Sequence, residues 1–374
     1  MLLIFGACSS ESTEEPDPVL DIYVYSPGKG TVTRSVSAPT AEEKRVHSLT
    51  LWVYKSNSDT QLGSLTLTAE QLESLNEKET GVYSIPVTSL FARNPEPVDV
   101  YVLANVSANN TGTMLDPTIA DKTSLENALF NGGYYYGFVR GDGGYRAVTE
   151  ISGEGLPMSG VVRGRSVTNV NAVLHVTDAN LGLVRDVSKI RLVFSSLTGA
   201  DKLYIDEVKL DGGMMYNSTY LFVNDEHPYF RVGENGTFNR EVVLATALKD
   251  EEGYPQYVNS NGNPRQYAYE SGMDESMYEA KITEGLEKKE LTEAPTVYLP
   301  ESDKRLTGTI TYHFATSPSE HHETQFMMLG GDFRRNQTWI VYVYYTGASR
   351  LDVSTVNVTK WQYGGQWDHE VHNW

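Results

Sequence analysis

The chain has 374 residues and a formal net charge of −19, from 30 Lys and Arg against 49 Asp and Glu. This acidic excess disfavours binding to nucleic acid or to an anionic bilayer, because both are recognised through basic patches. The length leaves room for two domains, and the single cysteine excludes an internal disulfide and zinc sites built from two or more cysteines.

The N-terminus begins MLLIFGACSSESTEEPDP, a short apolar run that ends in a small residue and Cys8. This run resembles the end of a bacterial lipoprotein signal, in which a cysteine after a small residue is lipidated. It lacks a basic region and is short for a signal, so an ordinary buried cysteine is the alternative. The acidic, Ser- and Pro-containing residues that follow have the composition of a tether. We therefore predict that residues 1–18 are a signal remnant and tether, with lipidation at Cys8.

Short strands with alternating or continuous apolar residues follow from Val19 onward, separated by turn residues. In the first half we predict strands at 20–25, 47–56 and 98–107, and short helices at 67–77 and 124–133. In the second half we predict strands at 170–178, 187–196, 203–210, 219–224, 240–246, 296–300, 306–314, 324–329, 338–345 and 353–359.

Many short strands with few helices indicate an all-β protein built from antiparallel β-sandwiches. The strand pattern is weakest near residues 160–169, so we predict an N-terminal domain over 19–165 and a C-terminal domain over 166–374. Residues 249–294 are polar, Tyr- and Gly-rich and weakly patterned, which predicts a long polar loop.

No motif for catalysis or cofactor binding stands out. The sequence lacks the G-x-S-x-G elbow of hydrolases and the phosphate-binding glycine motifs, so we expect no enzyme activity and no cofactor. Two histidine groups, HHE at 321–323 and HEVH at 369–372, lie in a predicted polar turn and in the tail. We interpret them as solvated histidines and predict no metal site.

The 24 tyrosines suggest a binding role, because exposed tyrosine offers contact area and a hydroxyl at low entropic cost. Several lie in the predicted polar loop, among them Tyr267 and Tyr269. These two are our candidate contacts for a glycan or a host protein, and simple β-propensity is the alternative explanation for tyrosines of this kind.

Several segments together resemble Bacteroidales fimbrial subunits, the fimbrillin-type lipoprotein pilins with their anchor and tip relatives. The segments are the lipoprotein-like start, HSLTLWVYKS (47–56), VDVYVLANVS (98–107), GEGLPMSG (153–160), VSKIRLVF (187–194), TVYLPES (296–302), DFRRNQTWIVYVYYTG (332–347) and VNVTKW (356–361). The resemblance covers most of the chain after Cys8, except residues 249–294.

The resemblance implies two transthyretin-like β-sandwich domains in an outer-membrane lipoprotein at the cell surface or in a fimbrium. In such subunits an Arg-specific protease can remove the N-terminal strand, and the C-terminal strand of another subunit fills the groove that is left. Arg34 and Arg45 are candidate processing sites, and 351–374 is the candidate donor strand with its tail. The implied partners are other pilin subunits, in homo- or heteropolymers, and the outer membrane through the lipid.

Two functions remain open at this point. The chain is either a structural fimbrial subunit that polymerises by strand exchange and supports adhesion, or a monomeric or tip lipoprotein that binds a glycan or host protein through Tyr-rich loops. An ordinary solvated arginine is the alternative for each processing site, and an ordinary terminal strand is the alternative for 351–374.

Overall fold

A computed structural model gives the structure of the chain. It describes residues 18–26, 40–106, 121–130, 139–140, 145–151, 153, 155–170, 173–176, 181–216, 218–222, 237, 239–328, 333–348 and 350–360. Within these ranges most of the ordered structure is β-strand, so the prediction of an all-β fold is confirmed.

The helices are short and few in the described ranges. They are α1 (Ala41–Lys44), α2 (Glu73–Lys78), α3 (Ser89–Arg93), α4 (Lys122–Glu126) and α5 (Glu275–Glu287), with 3₁₀ turns at Ala69–Leu72 and Pro264–Tyr267. No described helix has the length and apolar character needed to cross a membrane.

The first series of strands runs as far as residue 185. The strands are β1 (Val19–Tyr25), β2 (Leu49–Lys55), β3 (Gln61–Leu67), β4 (Thr80–Pro86), β5 (Val98–Ala104), β6 (Leu129–Phe130), β7 (Val139–Arg140), β8 (Tyr145–Arg146), β9 (Met158–Arg165), β10 (Val167–Val170), β11 (Val173–Val176), β12 (Leu181–Gly182) and β13 (Val184–Arg185).

The second series begins directly afterwards. The strands are β14 (Val187–Leu197), β15 (Leu203–Leu210), β16 (Thr219–Tyr220), β17 (Val242–Thr246), β18 (Ser260–Asn261), β19 (Thr292–Glu293), β20 (Val297–Pro300), β21 (Thr307–Phe314), β22 (Ser317–Met327), β23 (Gln337–Tyr345) and β24 (Asp352–Lys360).

Two sheets enclose the N-terminal core. One has the order β10-β11-β1-β12, with β4 also paired to β1, and the other has the order β13-β9-β5-β2-β3. All seven residues of β5 are buried, as its nearly continuous apolar sequence, interrupted only by Asp99, predicts for a central strand. Trp52, Tyr54 and Tyr101, each 0% exposed, are the largest apolar side chains of the core between these sheets.

Two further sheets enclose the C-terminal core. One has the order β18-β14-β23-β24, with β19 and β20 also paired to β14, and the other has the order β22-β21-β15-β17-β8-β7. Trp339 and Phe194 are fully buried between them. A small two-stranded sheet joins β6 to β16.

The β14–β23 sheet is also covered on its outer face. Tyr278 and Ile282 of α5 form a third cluster with Tyr342 of β23 and Val358 of β24. The prediction of a long polar loop over 249–294 is therefore wrong, because this segment contains β18, a 3₁₀ turn, the 13-residue helix α5 and β19. Burial against the sheet stabilises a helix whose own apolar pattern is weak.

The boundary between the two halves of the structure differs from the predicted boundary at residue 165. Strands β10 to β13, which follow residue 165, pair within the N-terminal sheets. Conversely, β7 and β8 belong to a C-terminal sheet, through the parallel pairing of β8 with β17. The N-terminal unit thus extends to Arg185, and its hairpin β7–β8 is part of a C-terminal sheet. The apolar pattern of a strand does not predict which sheet the strand joins.

Candidate functional site

Strand β1 occupies an interior position in its sheet, with backbone partners on both sides. It pairs antiparallel with β4 along its whole length, from Val19 opposite Pro86 to Tyr25 opposite Thr80. Its other side pairs in parallel with β11 and then with β12. The first strand of the described chain is therefore enclosed by segments that come much later in sequence.

Alternate side chains of β1 enter the N-terminal core. Leu20, Ile22 and Val24 are each 0% exposed. Burial of such side chains stabilises the fold by about 1.5–3 kcal/mol each, or roughly 5–9 kcal/mol for the three. On the other face, the Asp21 carboxylate accepts a hydrogen bond of 2.5 Å from the Ser84 hydroxyl. Without β1, the N-terminal sandwich would have an apolar groove with three vacant positions and unpaired backbone along β4.

Of the two predicted processing residues, only Arg45 lies within the described part of the chain. Arg34, like Cys8, lies outside the described residues. Arg45 is exposed, but its carbonyl accepts a hydrogen bond of 2.9 Å from Asn105 Nδ2. The next amide, that of the buried Val46, donates to Asn76 Oδ1 at 2.9 Å. A protease acts most readily on exposed, unpaired backbone. Cleavage after Arg45 would therefore require the hydrogen bonds of this backbone to Asn105 and Asn76 to break.

Helix α1, just before Arg45, supplies a buried carboxylate to the junction between the two halves. Glu43 is 2% exposed and accepts hydrogen bonds from Lys189 Nζ at 3.2 Å and Tyr298 Oη at 2.9 Å. The Arg185 guanidinium donates to the Glu43 carbonyl at 2.8 Å. Burial by itself raises the pKa of Glu43, but the charges of Lys189 and Arg185 and the hydrogen bonds to the carboxylate hold this pKa below its usual value.

A second buried cluster lies at the same junction around Arg335. Its guanidinium donates to Asp186 Oδ1 at 2.6 Å, to Glu301 Oε1 at 3.0 Å and to the Leu221 carbonyl at 3.0 Å. The Ser159 hydroxyl also donates to Asp186, at 2.7 Å. Burial raises the pKa of Asp186 to about 7 and raises that of Glu301, although Arg335 opposes both shifts. Two carboxylates thus share one guanidinium in the interior.

The candidate donor segment begins as an edge strand. In the described structure β24 pairs with β23 alone and ends the order of its sheet. Val356 and Val358 are 6% and 1% exposed and pack in the cluster under α5. Residues 361–374, which complete the candidate donor segment, lie outside the described residues.

The two candidate ligand tyrosines pack inside the fold. Tyr267 is 5% exposed, its hydroxyl donates to Glu290 Oε2 at 2.5 Å, and its ring meets that of Tyr342 edge-on. The half-buried Tyr269 donates to the Met273 carbonyl at 2.8 Å. Ligand contact through these two side chains stays a prediction, and it would require this packing to open.

The HHE group is placed differently from its prediction. Residues 321–323 lie within strand β22, not in a turn, because the strand extends from Ser317 through this polar stretch. His322 packs on Tyr312, whereas the exposed His321 meets Asp206 and His313 on the outer face. Sequence reasoning did not single out Asp206 or His313, which lie more than a hundred residues apart in the chain. The HEVH group at 369–372 lies outside the described residues.

No family model matches the sequence, and no curated protein matches it. Solved structures match over nearly the whole chain. A candidate cell adhesion protein from Parabacteroides distasonis is 14% identical with a TM-score of 0.52, covering 91% of this chain and 97% of that chain. The tip fimbrial protein of Porphyromonas gingivalis, with a C-terminal truncation, is 13% identical with a TM-score of 0.50, covering 91% and 99%. A candidate cell adhesion protein from Bacteroides eggerthii is 12% identical with a TM-score of 0.50, covering 92% and 96%.

At these identities the likeness concerns the fold. The neighbours are fimbrial and adhesion proteins with β-sandwich structures, and the match extends over both halves of this chain. The predicted resemblance and the predicted sandwich fold are both confirmed at this level. The chain has the β-sandwich fold of Bacteroidales fimbrial proteins.

Proposed function

We propose that the chain is a structural subunit of a cell-surface fimbria that polymerises by strand exchange and thereby supports adhesion. The observation that carries this proposal is the position of β1, whose Leu20, Ile22 and Val24 fill the core while Arg34 follows in the chain. The fimbrial and adhesion neighbours support a surface role without catalysis.

Release of β1 creates the acceptor site. The groove that it leaves is lined by β4 on one side and by β11 and β12 on the other. A replacement strand needs apolar side chains at every second residue, because alternate side chains of a strand point to the same face. Head-to-tail filling of such a groove does not close on itself, so it generates a filament.

Cleavage after Arg34 fits this role better than cleavage after Arg45. Both cuts separate β1 from the rest of the chain. A cut after Arg45 also separates α1, and with it the Glu43 carboxylate that neutralises the buried Lys189. Loss of one partner of a buried ion pair costs about 3–5 kcal/mol, so the subunit keeps its junction intact only when the cut falls before α1.

The donor strand follows β24. Strand β24 itself is paired with β23 and buries Val356 and Val358, so its departure would open the core of its own domain. The next residues, WQYGGQW at 361–367, place Trp361, Tyr363 and Trp367 at positions of equal parity, the pattern of a strand with one apolar face. We assign the donor role to the residues after Lys360.

The cell-surface location follows from the same proposal. Lipidation at Cys8 would attach the unprocessed chain to the outer membrane through the acidic tether, and cleavage after Arg34 would release the subunit from the lipid. Assembled subunits that begin at Ser35 indicate a stalk subunit, whereas subunits that begin at a lipidated Cys8 indicate an anchor.

Polymerisation is tested by treating the full-length protein with an Arg-specific protease and running it, unboiled, on a denaturing gel. We expect a ladder of oligomers with the wild type and with Arg45→Ala, and monomer alone with Arg34→Ala. Deletion of 361–374 should also abolish the ladder. Equal ladders from Arg34→Ala and the wild type, or an undiminished ladder after the deletion, contradict the proposal.

A further inference from the structure

We propose that Asp206, His313 and His321 form a binding site for a divalent transition-metal ion, such as Zn²⁺, on the outer face of the C-terminal sandwich. One ligand atom of each side chain lies within 4.8 Å of the corresponding atoms of the other two. Two imidazoles and one carboxylate form a ligand set that suits zinc and its neighbours in the first transition row.

The sheet brings these residues together from three adjacent strands. Asp206 belongs to β15, His313 to β21 and His321 to β22, which are neighbours in the order β22-β21-β15. All three project from the outer face, opposite to the buried side chains of the same strands, such as Ile205 and Tyr312. The site therefore rests on the rigid part of the domain and not on a loop.

Two β-bulges shape the cluster. The pairing of β15 with β21 shifts between Ile205 and Glu207, so Asp206 is the extra residue on its strand. The pairing of β21 with β22 shifts between Tyr312 and Phe314, where His313 alone faces residues 318–321, so the extra residues, His321 among them, lie on β22. Bulges re-aim side chains and occur often at functional sites. Here two of them lie beside each other, and each carries one of the proposed ligands.

The distances between the Asp206 oxygens and the two histidine nitrogens allow a metal ion to replace the hydrogen bonds between them. His313 Nδ1 lies 2.7 Å from Asp206 Oδ1, and His321 Nδ1 lies 2.8 Å from Asp206 Oδ2. Metal–ligand bonds of about 2.0–2.2 Å in a tetrahedral site put neighbouring ligand atoms about 3.4 Å apart, so small rotations of the side chains make room for the ion. Each imidazole binds the ion through Nδ1 as the neutral tautomer that carries its proton on Nε2, so a bond to the ion replaces the Nδ1 hydrogen bond to Asp206.

The surroundings of the cluster hold the ring of His313 in place and favour the binding of a cation. The Tyr204 ring stacks on His313 with its centroid 5.0 Å away and an interplanar angle of 6°, which fixes the imidazole plane. In the neighbouring row of the same face, Glu207 and Glu323 lie opposite Thr311 on either side. Lys209, two residues further along β15 than Glu207, pairs with Glu241 at 2.9 Å and with Glu207 at 4.0 Å.

The site is open to solvent. The side chain of His321 is 54% exposed, whereas those of Asp206 and His313 are 23% and 20% exposed. An ion can therefore enter without any movement of the backbone, and three protein ligands leave a fourth position for water or for a side chain of a neighbouring molecule. The competing explanation is a hydrogen-bonded His–Asp–His cluster that binds no ion.

Titration of the tag-free full-length protein with ZnCl₂ by calorimetry separates these explanations. We expect one zinc ion per chain with the wild type, and at least tenfold weaker binding with Asp206→Asn and with His321→Gln. Glu320→Gln, a neighbouring exposed carboxylate on the same strand, is the matched control and should bind as the wild type does. His369→Gln combined with His372→Gln removes the histidines of the tail and should leave the binding unchanged.

Thermal unfolding with and without zinc checks that the variants remain folded. The wild type and Glu320→Gln should gain stability on addition of zinc, while Asp206→Asn should unfold as usual but gain nothing, since an ion that binds only the folded state stabilises it. Zinc binding that is equal in the wild type and Asp206→Asn overturns the proposal. So does binding that disappears only when the two tail histidines are replaced, or the absence of binding to the wild type.

Discussion

The ammonium group of Lys189 lies 3.2 Å from the carboxylate of Glu43, and both side chains are buried. The two residues belong to different halves of the molecule, because Glu43 lies on α1 and Lys189 on β14. Tyr298 of β20 donates to the same carboxylate. A four-residue helix between β1 and β2 thereby supplies the counter-charge for a lysine in the interior of the junction.

Replacement of Glu43 by Gln should destabilise the protein by about 3–5 kcal/mol at pH 7, because it leaves the Lys189 charge buried without its partner. Urea unfolding measures the loss. Glu42→Gln changes an exposed carboxylate of the same helix and should cost less than about 0.5 kcal/mol. Equal stability of the two variants would mean that the pair contributes nothing to the junction.

The Asp186–Arg335–Glu301 cluster should make stability depend on pH near neutrality. The folded-state pKa of Asp186 is raised to about 7, well above its unfolded value, so the folded protein binds a proton that the unfolded chain has released. Stability from this group therefore falls as the pH rises from 5 toward 7, by up to about 1.4 kcal/mol per pH unit. Chemical unfolding between pH 5 and 8 measures the slope.

Asp186→Asn should flatten this slope relative to the wild type, since the titrating carboxyl is gone while an oxygen acceptor for Arg335 and Ser159 remains. Asp59→Asn replaces an exposed carboxylate and should keep the wild-type slope. If Asp186→Asn and the wild type show parallel pH profiles, another group is responsible for the dependence.

Sequence patterns located most strands because burial on one or both faces leaves a direct trace in the order of apolar residues. The run TWIVYVYY, for example, is continuously apolar because β23 lies between the C-terminal core and the cluster under α5. Helix α5 left no such trace. Its buried face includes Glu279, 0% exposed and paired with Arg191 at 3.6 Å, where a periodic pattern would have an apolar residue.

The sites depended on information that is not local in sequence. The sequence predicts the strand that contains Leu20, Ile22 and Val24. The enclosure of this strand by β4, β11 and β12 depends on the topology of the sheet, which the local sequence does not show. Asp206, His313 and His321 meet where the register of β15 with β21 and that of β21 with β22 shift, and the local sequence does not specify such shifts in strand pairing. His321 could be noticed from the sequence, but its partners could not.

The contacts of the buried Tyr267 with Glu290 and Tyr342 predict a structural role for this residue. Tyr267→Ala should destabilise the protein by about 3–5 kcal/mol, because it opens a cavity beside Tyr342 and α5, and Tyr267→Phe should cost about 1–1.5 kcal/mol through the hydrogen bond to Glu290. Tyr254→Ala, at a position 65% exposed, is the control and should change little. Thermal unfolding compares the three variants, and full stability of Tyr267→Ala would favour the ligand-contact prediction for this residue.

A synthetic peptide of residues 18–26 should bind to protein that has been expressed without residues 1–34. The peptide restores the pairing of β1 with β4 on one side and with β11 and β12 on the other, and it returns three apolar side chains to the core. Fluorescence anisotropy of a labelled peptide measures the affinity. A peptide with Ile22→Asp should bind at least a hundredfold more weakly, because it buries a charge in an apolar position.

Tyr23→Thr, on the outer face of the same peptide, is the matched control and should bind within a few-fold of the original. A peptide of residues 361–374 should compete for the same groove if these residues are the donor. Binding that is insensitive to Ile22→Asp would show that the peptide does not enter the groove, and failure of 361–374 to compete while 18–26 binds would separate the acceptor groove from the proposed donor.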